Sequence, residues 1–216
     1  MEDLSHKFKN KKSGVYFFKS SSPFEFYHIL NNINLEPKEE IFGTLIFPEN
    51  AKTPCPLVIP IHGSAGLRGN HHDHIVNLLE AGIAVFRIHS FESRGIISIV
   101  ENQMAVTLAT MITDAFRGLS LMAQHPDIDP NKIGIMGWSL GGSTAFYSAW
   151  KPIIKALTQG GEKFSAHLPL YPGTHIKPNI NEWSDAPMHI LCGRDDDYTP
   201  TKLVEKILEY VKPAKP

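Results

Sequence analysis

The chain has 216 residues, enough to bury one substantial core, and a single domain spanning 1–216 is the expectation. With 42% hydrophobic and 20% charged residues, the composition excludes the disordered, collagenous and membrane-embedded classes. A formal net charge of -1 leaves no global field to gather nucleic acid or an anionic membrane surface, and the start bearing Lys7, Lys9, Lys11 and Lys12 is short and solvating.

The opening Met1-Glu2-Asp3-Leu4 is acidic where a secretory signal would be basic, and no apolar core follows it. No stretch approaches the roughly 20 apolar residues of a membrane span. Cys55 and Cys192 are too few for a disulfide framework, so a reducing, cytoplasmic setting is expected.

Two β-rich runs at 15–19 and 41–47 open the chain and are expected to pair antiparallel. A polar, Asn-rich segment separates them, and the stretch at 36–40 resembles a linker. From Leu57 onward, apolar runs of strand length alternate with amphipathic runs of helix length, the pattern of a mostly parallel sheet. Strands are predicted at 57–61, 83–88, 132–136, 166–171 and 187–191, and helices at 72–80, 101–124, 141–150 and 201–211. The fold class is therefore α/β, a mostly parallel central sheet flanked by helices.

Chemistry enters where the strand at 132–136 runs into Gly137-Trp138-Ser139-Leu140-Gly141-Gly142 and then a helix. A serine held between glycines at a strand-to-helix turn is a nucleophile elbow. The turn is too tight for side chains at the flanking positions, and the helix start offers its amides to developing negative charge. An earlier strand ends in Ile61-His62-Gly63-Ser64-Ala65-Gly66, a loop suited to supply one oxyanion N–H while the residue after the nucleophile supplies the other. Ser64 and Leu140 are the candidate donors, and His62 is expected to be a buried structural neighbour of the elbow.

The third element, Cys192-Gly193-Arg194-Asp195-Asp196-Asp197-Tyr198-Thr199-Pro200, places Asp196 where a triad acid belongs, after the serine in chain order. Asp195 and Asp197 are expected to bond the loop or cap the next helix.

These segments, together with Ser90-Phe91-Glu92-Ser93-Arg94-Gly95 and Tyr171-Pro172-Gly173, resemble the dienelactone hydrolase family of α/β-hydrolases, from the strand at Ile41 to the helix at Thr201. The resemblance implies an eight-stranded α/β-hydrolase core, cleavage of esters or lactones through a triad and an acyl-enzyme, and no metal or organic cofactor. In two respects the chain departs from it. Dienelactone hydrolases proper use a cysteine nucleophile, whereas Ser139 stands here, so lactone specificity does not carry over. Relatives also place the catalytic histidine after an eighth strand, but no histidine follows His189, so the last strand and the general base are both expected to be missing.

His175 is the one in-chain candidate to replace that base, set against an exposed loop histidine. Arg94 is a candidate to hold a substrate carboxylate, set against an ion pair with Glu92 or a neighbouring acid. His71, His72 and His74 lack clear metal-ligand spacing and are expected to be a solvated helix start, and Trp138 is expected to pack.

The expected function is a serine hydrolase acting on small-molecule esters or lactones, without nucleic-acid or membrane partners. The alternative is a truncated or non-catalytic protein that keeps the pocket without turnover. An unpaired edge at 187–191 would also favour self-association.

Overall fold

A computed structural model describes residues 12–211; the lysine-rich start other than Lys12, and the chain after Val211, lie outside them. β1 (Gly14–Ser20) alternates buried Tyr16, Phe18 and Ser20 with outward Val15, Phe17 and Lys19, the period of a half-covered strand. It pairs antiparallel with β2 (Glu39–Ile46) from Gly14 opposite Leu45 to Ser20 opposite Glu39. The resemblance of 36–40 to a linker is therefore corrected: Glu39 and Glu40 already belong to the β2 ladder.

β3 (Cys55–Ile61), β4 (Ala84–Ile88), β5 (Ile128–Trp138) and β6 (Ala166–Leu170) complete a sheet in the order β1-β2-β4-β3-β5-β6. β4 runs antiparallel to β2, and the pairs β3–β4, β3–β5 and β5–β6 are parallel. From Ile133 to Trp138, strand β5 is buried on both faces. Ile133 and Ile135 join the main core with helices α3 (Leu108–Met122) and α4 (Leu140–Tyr147). Met136 and Trp138 point the other way and pack with Leu78 of α2 (Gly69–Glu80). That two-sided burial is why these strands read as continuous apolar runs.

Helix α3 starts later than its apolar pattern suggested, because Thr107 caps it by accepting the Thr110 N–H, while turns at 99–105 keep the preceding chain non-helical. Two further helices lie where none was expected. In α1 (Phe26–Asn32), Ile29 is buried and Glu25 and His28 form a reciprocal cap. In α5 (Lys151–Leu157) a proline occupies the first turn, where its missing N–H costs nothing.

The segment 187–191 runs parallel to β6 before α6 (Thr201–Tyr210) begins. His167 N donates to Pro187 O (2.9 Å), His189 N to His167 O (3.0 Å), Leu191 N to Pro169 O (3.0 Å) and Tyr171 N to Leu191 O (2.6 Å). Pro169 has no N–H to offer the carbonyl of His189, so the ladder is broken into isolated bridges. Among the described residues, no strand pairs with the outer side of this segment.

His167, on β6, donates from Nδ1 to Ala145 O (2.9 Å), and burial pushes its pKa down to about 4. In the unfolded chain a histidine takes up its proton near pH 6.5. Between those values the unfolded state binds the proton that the folded state refuses, so this contribution is fully present above about pH 6.5 and is lost as pH falls toward 4. Urea unfolding at pH 7.5 and 5.0 is expected to show lower stability at pH 5.0, with a slope approaching about 1.4 kcal/mol per pH unit for one such group. The difference is expected to shrink in His167→Asn.

Candidate active site

Ser139 is the single residue between the end of β5 and the start of α4, and its backbone sits at φ 54 and ψ -112. Among the described non-glycine residues only Ser139 and Tyr171 have positive φ. Such a conformation costs about 1–3 kcal/mol and persists only where the surroundings enforce it. Here they do: Ser139 N donates to Leu170 O on β6 (3.0 Å), and Ser143 N returns to Ser139 O (2.8 Å).

The glycines around it are steric requirements. A Cβ on Gly137 would lie 2.2 Å from Gly141 O, one on Gly141 2.0 Å from Ile61 O, and one on Gly142 2.4 Å from Leu170 O. All three obstacles are backbone, so none can swing aside. The serine is left half-buried at the carboxyl end of the sheet.

The loop after β3 lies directly against this turn. A Cβ on Gly63 would come within 3.2 Å of Trp138 O and 3.5 Å of the Ser139 Cβ. Gly63 O accepts from His62 Nδ1 (2.9 Å) and from Gly66 N (3.0 Å), which fixes the Gly63–Ser64 peptide. The Ser64 N–H belongs to that same peptide and must point away from its carbonyl. A carbonyl can only accept, so His62 carries its proton on Nδ1, and burial lowers its pKa and keeps it neutral. His62 is thus buried beside the elbow, and what it orients is the peptide carrying the candidate donor. Leu140 N is the first amide of α4 and lacks a partner within the helix.

Asp196 lies in the turn after 187–191. Its Oδ1 accepts from Tyr198 N (3.0 Å) and Thr199 N (2.8 Å), and its Oδ2 from Thr199 Oγ1 (2.7 Å). The Thr199 bonds foremost hold its pKa below the ordinary carboxylate value. The Tyr171 phenol is pushed up by burial and by the Asp196 charge. Tyr171, at φ 36, was not singled out as a site residue from sequence; the sign available was the Tyr-Pro-Gly run closing a strand.

His175 is exposed in the loop after β6, and this loop is tied to α4 through Gly173 N to Ser143 Oγ (2.9 Å) and Ser143 Oγ to Gly173 O (3.0 Å). His189 is exposed on the edge segment.

Two expectations are corrected. Arg94 has no donor left for a substrate carboxylate. Nε donates to Ser22 Oγ and Glu39 Oε1 (both 3.0 Å), Nη1 to Ser90 O and Asp114 Oδ2 (both 2.8 Å), and Nη2 to Glu39 Oε1 (2.6 Å) and Asp114 Oδ1 (3.1 Å). The ion-pair alternative is the one realised, with Glu39 and Asp114 rather than Glu92, which faces His89 (3.6 Å). His71 is not solvated either. It is buried in the first turn of α2 and stacked on Trp138 at 4.3 Å, with its pKa lowered to about 4 chiefly by burial. His72 and His74 are exposed, and no cluster of metal-ligating side chains occurs among the described residues.

A strained serine elbow at the end of a central parallel strand, with a glycine loop against it and an acid turn beyond β6, defines an α/β-hydrolase fold. Solved structures agree. A protein assigned as a dienelactone hydrolase from Klebsiella pneumoniae superposes with a TM-score of 0.60 at 18% identity, over 92% of this chain and 80% of that one. Esterase 2 of Thermogutta terrifontis, phosphoramylated by tabun, gives 0.59 at 14% identity, over 80% and 73%. Est1E from Butyrivibrio proteoclasticus gives 0.55 at 17% identity, over 82% and 83%. The BD-FAE family model matches residues 44–172, and the chain belongs to that family. No curated protein matches the sequence significantly.

Gly141→Ala is expected to destabilise the fold by at least about 2 kcal/mol in urea titration, because its Cβ would collide with backbone oxygen 2.0 Å away. Gly69→Ala, with nothing within 4 Å, is expected to stay within about 0.5 kcal/mol of the parent.

Proposed function

We propose that the chain is a serine hydrolase that cleaves small-molecule carboxylic esters or lactones through an acyl-enzyme. The observation that carries this reading is the Ser139 backbone, φ 54, held with Gly63 of the oxyanion loop against it. Ser139 Oγ attacks the carbonyl carbon, and the amides of Ser64 and Leu140 receive the negative charge that develops on its oxygen. Collapse of the tetrahedral adduct breaks the ester C–O bond and releases the alcohol with the proton taken from Ser139. Water then cleaves the acyl-enzyme by the same route. None of these steps calls for a metal or organic cofactor.

The step needs a base for the serine proton. His175, or a histidine of a second subunit, is assigned that part, with Asp196 as the acid that orients it. A non-catalytic, pocket-keeping protein is the second reading, and Asp196 is the observation that favours it: both carboxylate oxygens are engaged by its own turn.

A fluorophosphonate probe and p-nitrophenyl acetate separate the two. Labelling and turnover are expected in the parent and absent in Ser139→Ala, the mutation lowering turnover by about 1000-fold or more. His175→Ala is expected to lower turnover by about 100-fold or more with labelling slowed in parallel. A parent protein that neither labels nor turns over establishes the non-catalytic reading.

Among the described residues no helix is long and apolar enough to cross a membrane. Both cysteines are free, in keeping with a reducing, cytoplasmic compartment. We further propose self-association through 187–191: its inward groups bond β6, so the N–H and C=O of Met188 and Ile190 face away from the sheet. Light scattering on a sizing column is expected to show a mass that rises with concentration and reverts when Ile190→Pro removes one outward donor; a constant monomer mass at millimolar protein would refute it.

A further inference from the structure

We propose that Arg94 is a positioning residue of the oxyanion loop, acting through the chain segment that follows it; this rests on the reading of Ser64 as an oxyanion donor. The guanidinium is almost wholly buried, its side chain 9% exposed, and forks between Asp114 of α3, 0% exposed, and Glu39 at the start of β2. Asp114 is itself fixed to β1 through Ser20 Oγ (2.5 Å), and Ser22 bonds Glu39. A planar fork satisfied on both sides by carboxylates admits little freedom.

Arg94 also closes a loop onto its own chain. Its Nη1 reaches Ser90 O (2.8 Å), and around it runs a tight turn: Arg94 N to Phe91 O (2.9 Å), Gly95 N to Glu92 O (3.1 Å), Ile96 N to Phe91 O (2.9 Å). The chain then turns at Gly95, φ 68, and returns to the oxyanion loop. There Ile99 N donates to Ser64 O (2.8 Å) and Ser98 Oγ to the same oxygen (3.3 Å). Ile97 O lies so close to Gly66 that a Cβ there would approach to 2.8 Å.

Ser64 is thus held from both sides, by His62 through the preceding carbonyl and by 97–99 through its own. The second support is anchored in the core through buried Ile99, through Phe91 and Ile96, and through the Arg94 fork. Oxyanion stabilisation depends on a donor placed before charge develops, and a displacement of about 1 Å costs on the order of 100-fold in rate. Loosening Arg94 therefore reaches Ser64 without touching substrate.

Amide hydrogen exchange followed by NMR reads the loop directly, whether or not the protein turns over. In Arg94→Gln the Ile99 and Gly66 amides are expected to exchange at least about tenfold faster, while that of Ile135 in β5 keeps its protection. Glu39→Gln, which leaves Asp114 to neutralise Arg94, is expected to give the same pattern more weakly, and it decides the matter should Arg94→Gln fail to fold. Where p-nitrophenyl acetate is turned over, kcat is expected to fall about 10- to 100-fold with KM within about threefold. Mono-p-nitrophenyl succinate is expected to show the same split. Unchanged exchange at Ile99 in the folded variants would overturn the proposal, as would a KM increase confined to the succinate ester.

Discussion

The structure hangs on backbone meeting backbone at the end of β5. Ser139 can be pinned to Leu170 of β6 while α4 rises beside it only because Gly137, Gly141 and Gly142 let carbonyls of β3, β6 and α4 approach to where a side chain would otherwise stand. That contact sets the spacing of β3, β5 and β6 and brings Gly63 against the serine. The site is therefore a consequence of how closely three strands converge at one end. Its polar groups are mostly main-chain groups, which loop and strand geometry hold without side-chain entropy to lose.

Around this neutral arrangement, charge is segregated. The buried Arg94 guanidinium is neutralised by Glu39 of β2 and Asp114 of α3. Beside the elbow, burial keeps His62, His71 and His167 below their ordinary pKa. The Glu92 pKa is lowered as well, to about 2, chiefly by its hydrogen bond with His89, and for a carboxyl that favours the charged form. In the proposed mechanism, an anionic intermediate at Ser139 is met by oriented dipoles. Dipoles of this kind stabilise developing charge without first having to reorganise.

Much of this was legible in the sequence because it is written in local signals. Apolar runs located β3 to β6 within a few residues, and glycine spacing located the elbow. What escaped was tertiary. The partners of Arg94 lie 55 and 20 residues away, one of them in a stretch that resembles a linker. Starting α2 three residues too late put His71 among solvated residues, and only the neighbouring β5 strand reveals Trp138 beneath it. Helix α1 was hidden by its asparagines, although Phe26, Ile29 and Ile33 carry helical spacing. The segment 187–191 was found, but the break in its ladder belongs to Pro169 on its neighbour.

The choice of residue at the apex bears on whether the pocket serves turnover. A turn at φ 54 is adopted by glycine at no steric cost, and by serine only at a cost of about 1–3 kcal/mol. Packing explains the three flanking glycines completely, since each would collide with backbone. It does not explain why position 139 carries a side chain, since Ser139 N and O would be bonded equally well in glycine. Under the proposed function, the hydroxyl is what the strain supports. It stands half-buried beside Gly63, whose peptide His62 holds and which leads into the Ser64 proposed as a donor. In the proposed acyl transfer, that combination has a use.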